Sequence, residues 1–376
     1  MNFSKLDSFM KQMPIFGYPS CEIVVSKDGK TIYNSAIGFA DANKTRPASA
    51  DDIYWLFSCT KVITCIAALR LLENGDISLD DPVAKYLPEF KNPLVRQENG
   101  TTAQAKNVMT VRHLFTMTGG LGYDIDTPAI EKAKTHNATT RSIIRAIAED
   151  PLYFEPGTRY KYSLCHDVLG GIIEIVSGMR LSDYMKKYIF DPLGLNDIGF
   201  RPSDEQASRF VDMYIGNSGT NRSTPIPCIN NYTFSPAYDS GGAGLFSTAN
   251  DYSKIISTIA NGGKTDDGYT LLRPETIALA QKNLLDDNCL ADFCNGRLFG
   301  YGWGLCGRVH RDPTVSFSKS PAGEFGWDSA GNALAVIDPQ NRLSFIFLAH
   351  VREYTYGYNC VHPILRNVVY ECLEEN

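Results

Sequence analysis

Apolar positions recur with helical spacing over residues 3–13, and the period then changes. Residues 21–27 (CEIVVSK) and 31–39 are apolar, β-branched runs separated by Asp28-Gly29, a pair that predicts a hairpin turn. Polar residues lead to Ile53-Tyr54-Trp55-Leu56-Phe57. Ser58 then opens a helix, SCTKVITCIAALRLLENG, whose apolar positions follow the 3.6-residue period until Asn74-Gly75 stops it. From there to about residue 235 the pattern is mostly helical. Thr110 caps VRHLFTM, Thr139 or Thr140 precedes RSIIRAIAED, a helix is expected near 165–177, and the run 181–190 is stopped by Asp191-Pro192. After Ser240-Gly241-Gly242-Ala243-Gly244 the strands return. Residues 250–260 and 274–282 are predicted helices, 298–309, 322–328, 332–338 and 343–351 predicted strands, and a helix over 361–374 follows.

Strands near both ends with helices between them predict an α+β fold. One antiparallel sheet flanked by helices draws on residues 1–58 and 236–376, and a mostly helical subdomain, 59–235, is inserted. The 376 residues, 43% of them hydrophobic and 21% charged, suffice for a substantial core. A net charge of −6 without a basic run argues against a nucleic-acid partner. No stretch reaches the roughly 18 apolar residues of a membrane span, and residues 1–15 lack the apolar core of an export signal. The ten cysteines are scattered, as reduced thiols of a cytoplasmic protein would be, and no His or Cys pair follows Cys289 and Cys294 at zinc-ligand spacing. Neither metal nor other cofactor is expected.

Three segments carry candidate chemistry. In Ser58-Cys59-Thr60-Lys61 the serine and the lysine share one helix face, so the amine reaches the hydroxyl and serves as its base. The helix N-terminus favours the alkoxide and a forming oxyanion. Two other Ser-x-x-Lys runs, Ser8 to Lys11 and Ser316 to Lys319, lack the apolar lead-in and continuation. The plainer reading is a serine cap with a solvated lysine. The second segment, Phe154-Glu155-Pro156-Gly157 with Tyr160-Lys161-Tyr162-Ser163, places a tyrosine just before an apolar helix. A nearby cation makes its phenol a better general base, although Tyr160 competes for that part and most tyrosines merely pack. His166, one turn on, lines the site or caps the helix. In the third, Gly323-Glu324-Phe325-Gly326-Trp327-Asp328-Ser329-Ala330-Gly331, small residues let backbone approach a ligand, or else mark a bulged edge strand. For the segment 240–245 structural packing is favoured.

In this order the three segments resemble the serine β-lactamase and penicillin-binding-protein superfamily, nearest its class C-like branch and the family VIII carboxylesterases. Asp80-Asp81-Pro82-Val83 with YLPEF, TVRHLFTMTGGL at 110–121 and SGGAGLFST at 240–248 extend the resemblance over most of the chain. It implies the β-lactamase/transpeptidase-like fold with an all-helical inserted subdomain and the active site between it and the sheet domain, Ser58 as the acylated residue, Lys61 and Tyr162 as its proton-handling partners, and an oxyanion hole from the Ser58 and Ala330 N–H groups. Two departures bear on substrate. Leu164 stands where the family's Tyr-x-Asn element has asparagine, and Trp327-Asp328-Ser329 replaces Lys-Thr-Gly, so an aromatic ring stands where a cation pairs the carboxylate of an antibiotic. Trp327 is similar to the Trp-Gly-Gly variant of the family VIII esterases. A small uncharged ester therefore fits best, bound by Leu164, His166, Trp327, Asp328 and Ser329. A class C-like β-lactamase, a D-amino-acid amidase or peptidase, an acyltransferase and a non-catalytic binding protein on the same fold are the alternatives. No Gly-x-Ser-x-Gly elbow is present, which argues against an α/β-hydrolase.

Overall fold

The computed structural model describes residues 1–374. Strands β1 (Ser20–Lys27) and β2 (Lys30–Gly38) form the expected hairpin, with Asp28 and Gly29 at φ of 52° and 77° as a two-residue turn of this hand requires. Strands β3 (Tyr301–Gly304), β4 (Gly307–His310), β5 (Phe325–Asp328), β6 (Leu334–Asp338) and β7 (Leu343–Ala349) complete a seven-stranded sheet in the order β3-β4-β5-β6-β7-β1-β2. Every pair is antiparallel, and β1 pairs with β7 from Cys21 opposite Ala349 to Lys27 opposite Leu343. The sheet is thus assembled from the two ends of the chain.

Both of its faces are covered, which explains why the central strands are apolar throughout rather than alternating. Val24, Ala335, Ile337, Ile346 and Leu348 join the large core shared with helices α2 (Thr60–Asn74) and α5 (Ala249–Ala260). Ile23, Val25, Val336, Phe345 and Phe347 point the other way, against α1 (Ser4–Met10) and α7 (His362–Glu374). Between α2 and α5 the chain is mainly helical, including α3 (Val111–Phe115) and α4 (Cys165–Ser177). Thr110 and Thr139 begin their helices with capping boxes, and Gly75 ends α2 at φ 81°.

Several expectations are corrected. The strand foreseen over 298–309 is the hairpin β3–β4, reversed at Leu305-Cys306, and α6 (Asp287–Cys294) was not foreseen. The inserted region is not all helical. Leu94–Arg96 pairs with Thr102–Gln104, and Met213–Asn217 pairs with Arg222–Ile226 and, in parallel, with Val351–Arg352. These strands are short and partly exposed, so they carry no two-residue apolar period to read. Ser58 does not open α2: Phe57–Cys59 make a turn of 3-10 helix first. Among the described residues no helix is long and apolar enough to cross a membrane, and no group of three or more His, Cys, Asp or Glu side chains is placed to hold a metal.

One buried group costs the fold stability. Glu22 on β1 is fully buried with neither carboxylate oxygen in a hydrogen bond. Burial first, then Asp52, push its carboxyl up to about 8, and the nearby Asn34 amide, which makes no well-formed hydrogen bond to it, pulls only weakly the other way. The native state therefore keeps a proton that the unfolded chain releases near its ordinary pKa of 4.5, and stability falls as pH rises from there to about 8. Glu22→Gln should remove that slope and exceed the parent by about 1–3 kcal/mol at pH 8. Urea unfolding from pH 5 to pH 9 measures this; parallel curves for the two proteins would refute it.

Candidate active site

Ser58 sits on a constrained turn. Phe57 before it has φ +43°, a left-handed conformation that costs a β-carbon-bearing residue about 1–2 kcal/mol and must be held by its surroundings. Tyr54–Trp55 pairs with Phe246–Ser247, and the Leu56 N–H donates to the Leu245 carbonyl at 2.9 Å. The Trp55 N–H donates to Nε2 of His350 at 2.9 Å, while Nδ1–H of that ring donates to the Val211 carbonyl. Burial pushes His350 down to about 4, so it stays neutral and the tautomer is locked. The Phe57 ring lies against His350 and beneath the Arg352 guanidinium, and a Cβ on Gly331 would come within 3.3 Å of it. The strained turn is clamped from four sides.

Lys61 follows on the first turn of α2 and is 1% exposed. Its Nζ lies 3.3 Å from Ser58 Oγ, 3.1 Å from Tyr123 Oη and 2.7 Å from the Gly242 carbonyl. The third contact shows that the 240–245 segment does more than pack. Asp167, at the start of α4, accepts from Ser240 Oγ, from Tyr238 Oη and from the Gly242 N–H. Thr64 Oγ1 donates to the Gly241 carbonyl at 2.6 Å. A Cβ on Gly242 would lie 2.4 Å from an Asp167 oxygen, so only glycine lets the loop come close enough to present its carbonyl to the amine.

Two tyrosines flank this amine. The Tyr162 ring lies 4.8 Å and the Tyr123 ring 5.0 Å from Nζ, and the two rings stack with centroids 5.2 Å apart. Trp327 Nε1–H donates to Tyr162 Oη at 2.9 Å, fixing the phenol from the β5 side. Burial pushes the Tyr162 phenol above its usual range; Lys61 and Ser58 pull the other way without prevailing. The lysine therefore does not make Tyr162 acidic, and the phenol is protonated at neutral pH. Tyr123 is the residue the sequence reading missed. Gly-Tyr-Asp in a loop has no distinctive pattern, and the run 110–121 stops two residues short of it.

These groups open on a cavity of about 380 Å³. Tyr123, Tyr160, Tyr162 and Tyr232 line it from the inserted region, and Trp327, Asp328, Ser329, Ala330 and Tyr358 from the sheet side. Phe293 of α6 packs edge-on against Tyr160, which places that tyrosine in the cavity wall, whereas it is Tyr162 that lies over the amine. After β5 the chain turns tightly. The Ser329 carbonyl accepts from the Asn332 N–H and from Tyr358 Oη, and Ser329 Oγ accepts from the Ala333 N–H. Among the described residues the N–H groups of Ser58 and Ala330 have no protein acceptor, as a pair reserved for an oxyanion would require.

Two expected site residues lie elsewhere. Leu164 lines a separate small cavity with Leu121, Ile130 and Ile147. His166 is fully buried behind Lys61, its Nε2–H directed at the Phe115 carbonyl, and burial and the amine push it down to about 3. An apolar helix face drew both side chains into the core.

The sequence profile of the Beta-lactamase family matches residues 6–357. The chain belongs to this family. It is a hydrolase of the β-lactamase fold. Among its beta-lactamase-family relatives, "Esterase EstB" of Burkholderia gladioli is 30% identical over 351 residues, 87% of this chain and 84% of the relative. A "Putative D-alanyl-D-alanine carboxypeptidase" of Escherichia coli K12 is 28% identical over 375 residues, 92% and 82% of the two chains. In structure, "EstCE1, a hydrolase with promiscuous acyltransferase activity" superposes with a TM-score of 0.81 over 97% of both chains at 24% identity, which shows the shared fold.

Proposed function

We propose that this beta-lactamase-family hydrolase is a carboxylesterase of small uncharged esters, working through an acyl-enzyme on Ser58. The observation that carries the reading is Lys61 Nζ, 3.3 Å from Ser58 Oγ, beside a cavity walled by Trp327 and five tyrosines, in which the Arg297 guanidinium shares the wall with the Asp328 carboxylate. Ser58 Oγ attacks the ester carbonyl when the Lys61–Tyr162 pair is one proton short of ammonium plus phenol, and the pair takes the hydroxyl proton. The tetrahedral oxyanion rests on the Ser58 and Ala330 N–H groups. Collapse breaks the C–O bond to the alcohol, which leaves with that proton. A water then attacks the acyl carbon, gives its proton to the pair, and the acid departs as Ser58 is reprotonated.

Substrate class follows from the walls. Trp327 and five tyrosines favour apolar or aromatic groups, and the Asp328 carboxylate offsets the charge of Arg297 in the same wall. A penicillin nucleus carries a carboxylate that finds no cation at Trp327. The name of the Burkholderia relative, an esterase, is consistent with this choice. p-Nitrophenyl butyrate should be turned over about 10- to 100-fold faster than nitrocefin, since one charge-assisted hydrogen bond is worth about 1.5–3 kcal/mol. Parallel kcat/KM measurements decide it, and a preference for nitrocefin would reject the ester assignment.

A further inference from the structure

A second cavity, about 490 Å³, adjoins the first and shares four wall residues with it: Arg297, Leu298, Asp328 and Tyr358. Its chemistry is different. Arg308 on β4 and Arg366 on α7 line it at 3% and 5% exposure, and the Tyr301 ring lies between them, 5.0 Å from one guanidinium and 5.5 Å from the other. Three arginines thus face two acids. Glu324, fully buried, pairs with Arg308 and lies 3.7 Å from Arg366, and Asp328 stands on the partition. His362, also in the wall, donates to the Asn332 carbonyl and is neutral. The Nε–H of Arg308 is buried without a hydrogen-bond partner and that of Arg366 has only Glu324, at 3.7 Å, so the single buried Glu324 carboxylate serves both guanidinium groups. At the rim stand Phe299, Val315 and Phe317, exposed to 55%, 46% and 84%, with Phe317 held outward at φ 56°.

We propose that this cavity binds a carboxylate on an apolar body, the head group meeting Arg308, Arg366 and Arg297 and the body lying along Phe299, Val315 and Phe317. The excess of Arg297, Arg308 and Arg366 over Glu324 and Asp328 selects the head, and the exposed rings select the tail. The Asp328–Tyr358 partition keeps this cationic chamber apart from the aromatic cavity over Ser58. The ligand arrives in one of two forms: a free carboxylic acid, such as the acid an esterase releases, or the far end of an ester long enough to cross the partition. The second form rests on the Ser58 esterase chemistry proposed above and extends its substrate class to a longer ester with a distal carboxylate; the first does not rest on it.

Calorimetric titration with octanoate tests the site. It should bind the parent protein and Ser58→Ala equally, and 1-octanol should not substitute for it. Arg366→Gln should weaken binding about tenfold or more through loss of the charged donor, and Phe317→Ser, on the surface and harmless to folding, about threefold. No heat with octanoate, or equal affinity in parent, Arg366→Gln and Phe317→Ser, would overturn the proposal. The source is read from kinetics. A bridging ester requires that mono-p-nitrophenyl suberate be cleaved with higher kcat/KM than p-nitrophenyl octanoate and lose that advantage in Arg366→Gln. A free acid requires no such advantage while octanoate still binds. Octanoate binding in a protein that cleaves neither ester would remove the esterase reading and leave the chamber standing.

Discussion

Ser58→Ala is expected to lower kcat for p-nitrophenyl butyrate by on the order of 10⁴-fold or more, the loss found when a nucleophile is removed from a covalent mechanism. A fluorophosphonate should add to the parent protein with one-to-one stoichiometry, seen by intact mass, and peptide mapping should place the adduct on Ser58. The variant should show no adduct. The fold should survive, because Ser58 is 7% exposed at the cavity floor and its hydroxyl contacts the site groups alone. An adduct on another serine, or hydrolysis that persists in Ser58→Ala, would refute the assignment of the nucleophile.

The second large effect lies with the proton-handling groups. Lys61→Ala should reduce kcat by about 10³-fold, since general-base assistance contributes about 10²–10⁴. Arginine should not rescue it, because a guanidinium cannot give up its proton to serve as a base. Tyr162→Phe should cost about 10²-fold, because the Lys61–Tyr162 pair loses its second proton site and Trp327 loses its acceptor. Tyr123→Phe removes one hydrogen bond from Nζ and should cost about tenfold at most. Burial holds the Tyr162 phenol above its usual range, so kcat/KM should rise with pH through neutrality. Single-turnover rates across the variants and across pH 6–9 test this ranking; an equal loss in Tyr123→Phe and Tyr162→Phe would show that the two phenols share the task.

The features legible in the sequence were those with local causes. The Asp28-Gly29 turn, the helices capped by Thr110 and Thr139, and the glycine end of α2 all follow from nearest neighbours in the chain. The approach of Lys61 to Ser58 was legible for the same reason, the two being one turn apart. What escaped was set by distant packing. Tyr123 became a partner of Lys61 because the loop after α3 folds beneath Tyr162, and nothing beside it in the chain announces that. His166 looked available because it is polar and one turn from Tyr162, but helix periodicity turned it inward. The backbone of Phe57 could not be anticipated either. Phenylalanine has no preference for positive φ, and the turn exists because Leu245, His350 and Gly331 leave it no other shape.

The pairing of β1 with β7 has a consequence for how the enzyme is born. A ribosome must deliver residue 349 before the strand begun at residue 20 gains its inner neighbour. Until then Ser58 waits without Trp327 locked opposite Tyr162 and without the turn that carries Ala330. Contacts across so much chain form slowly, after local helices have settled. On the proposed mechanism reactivity would therefore arrive last, and an unfinished polypeptide would carry its hydroxyl and amine unarmed.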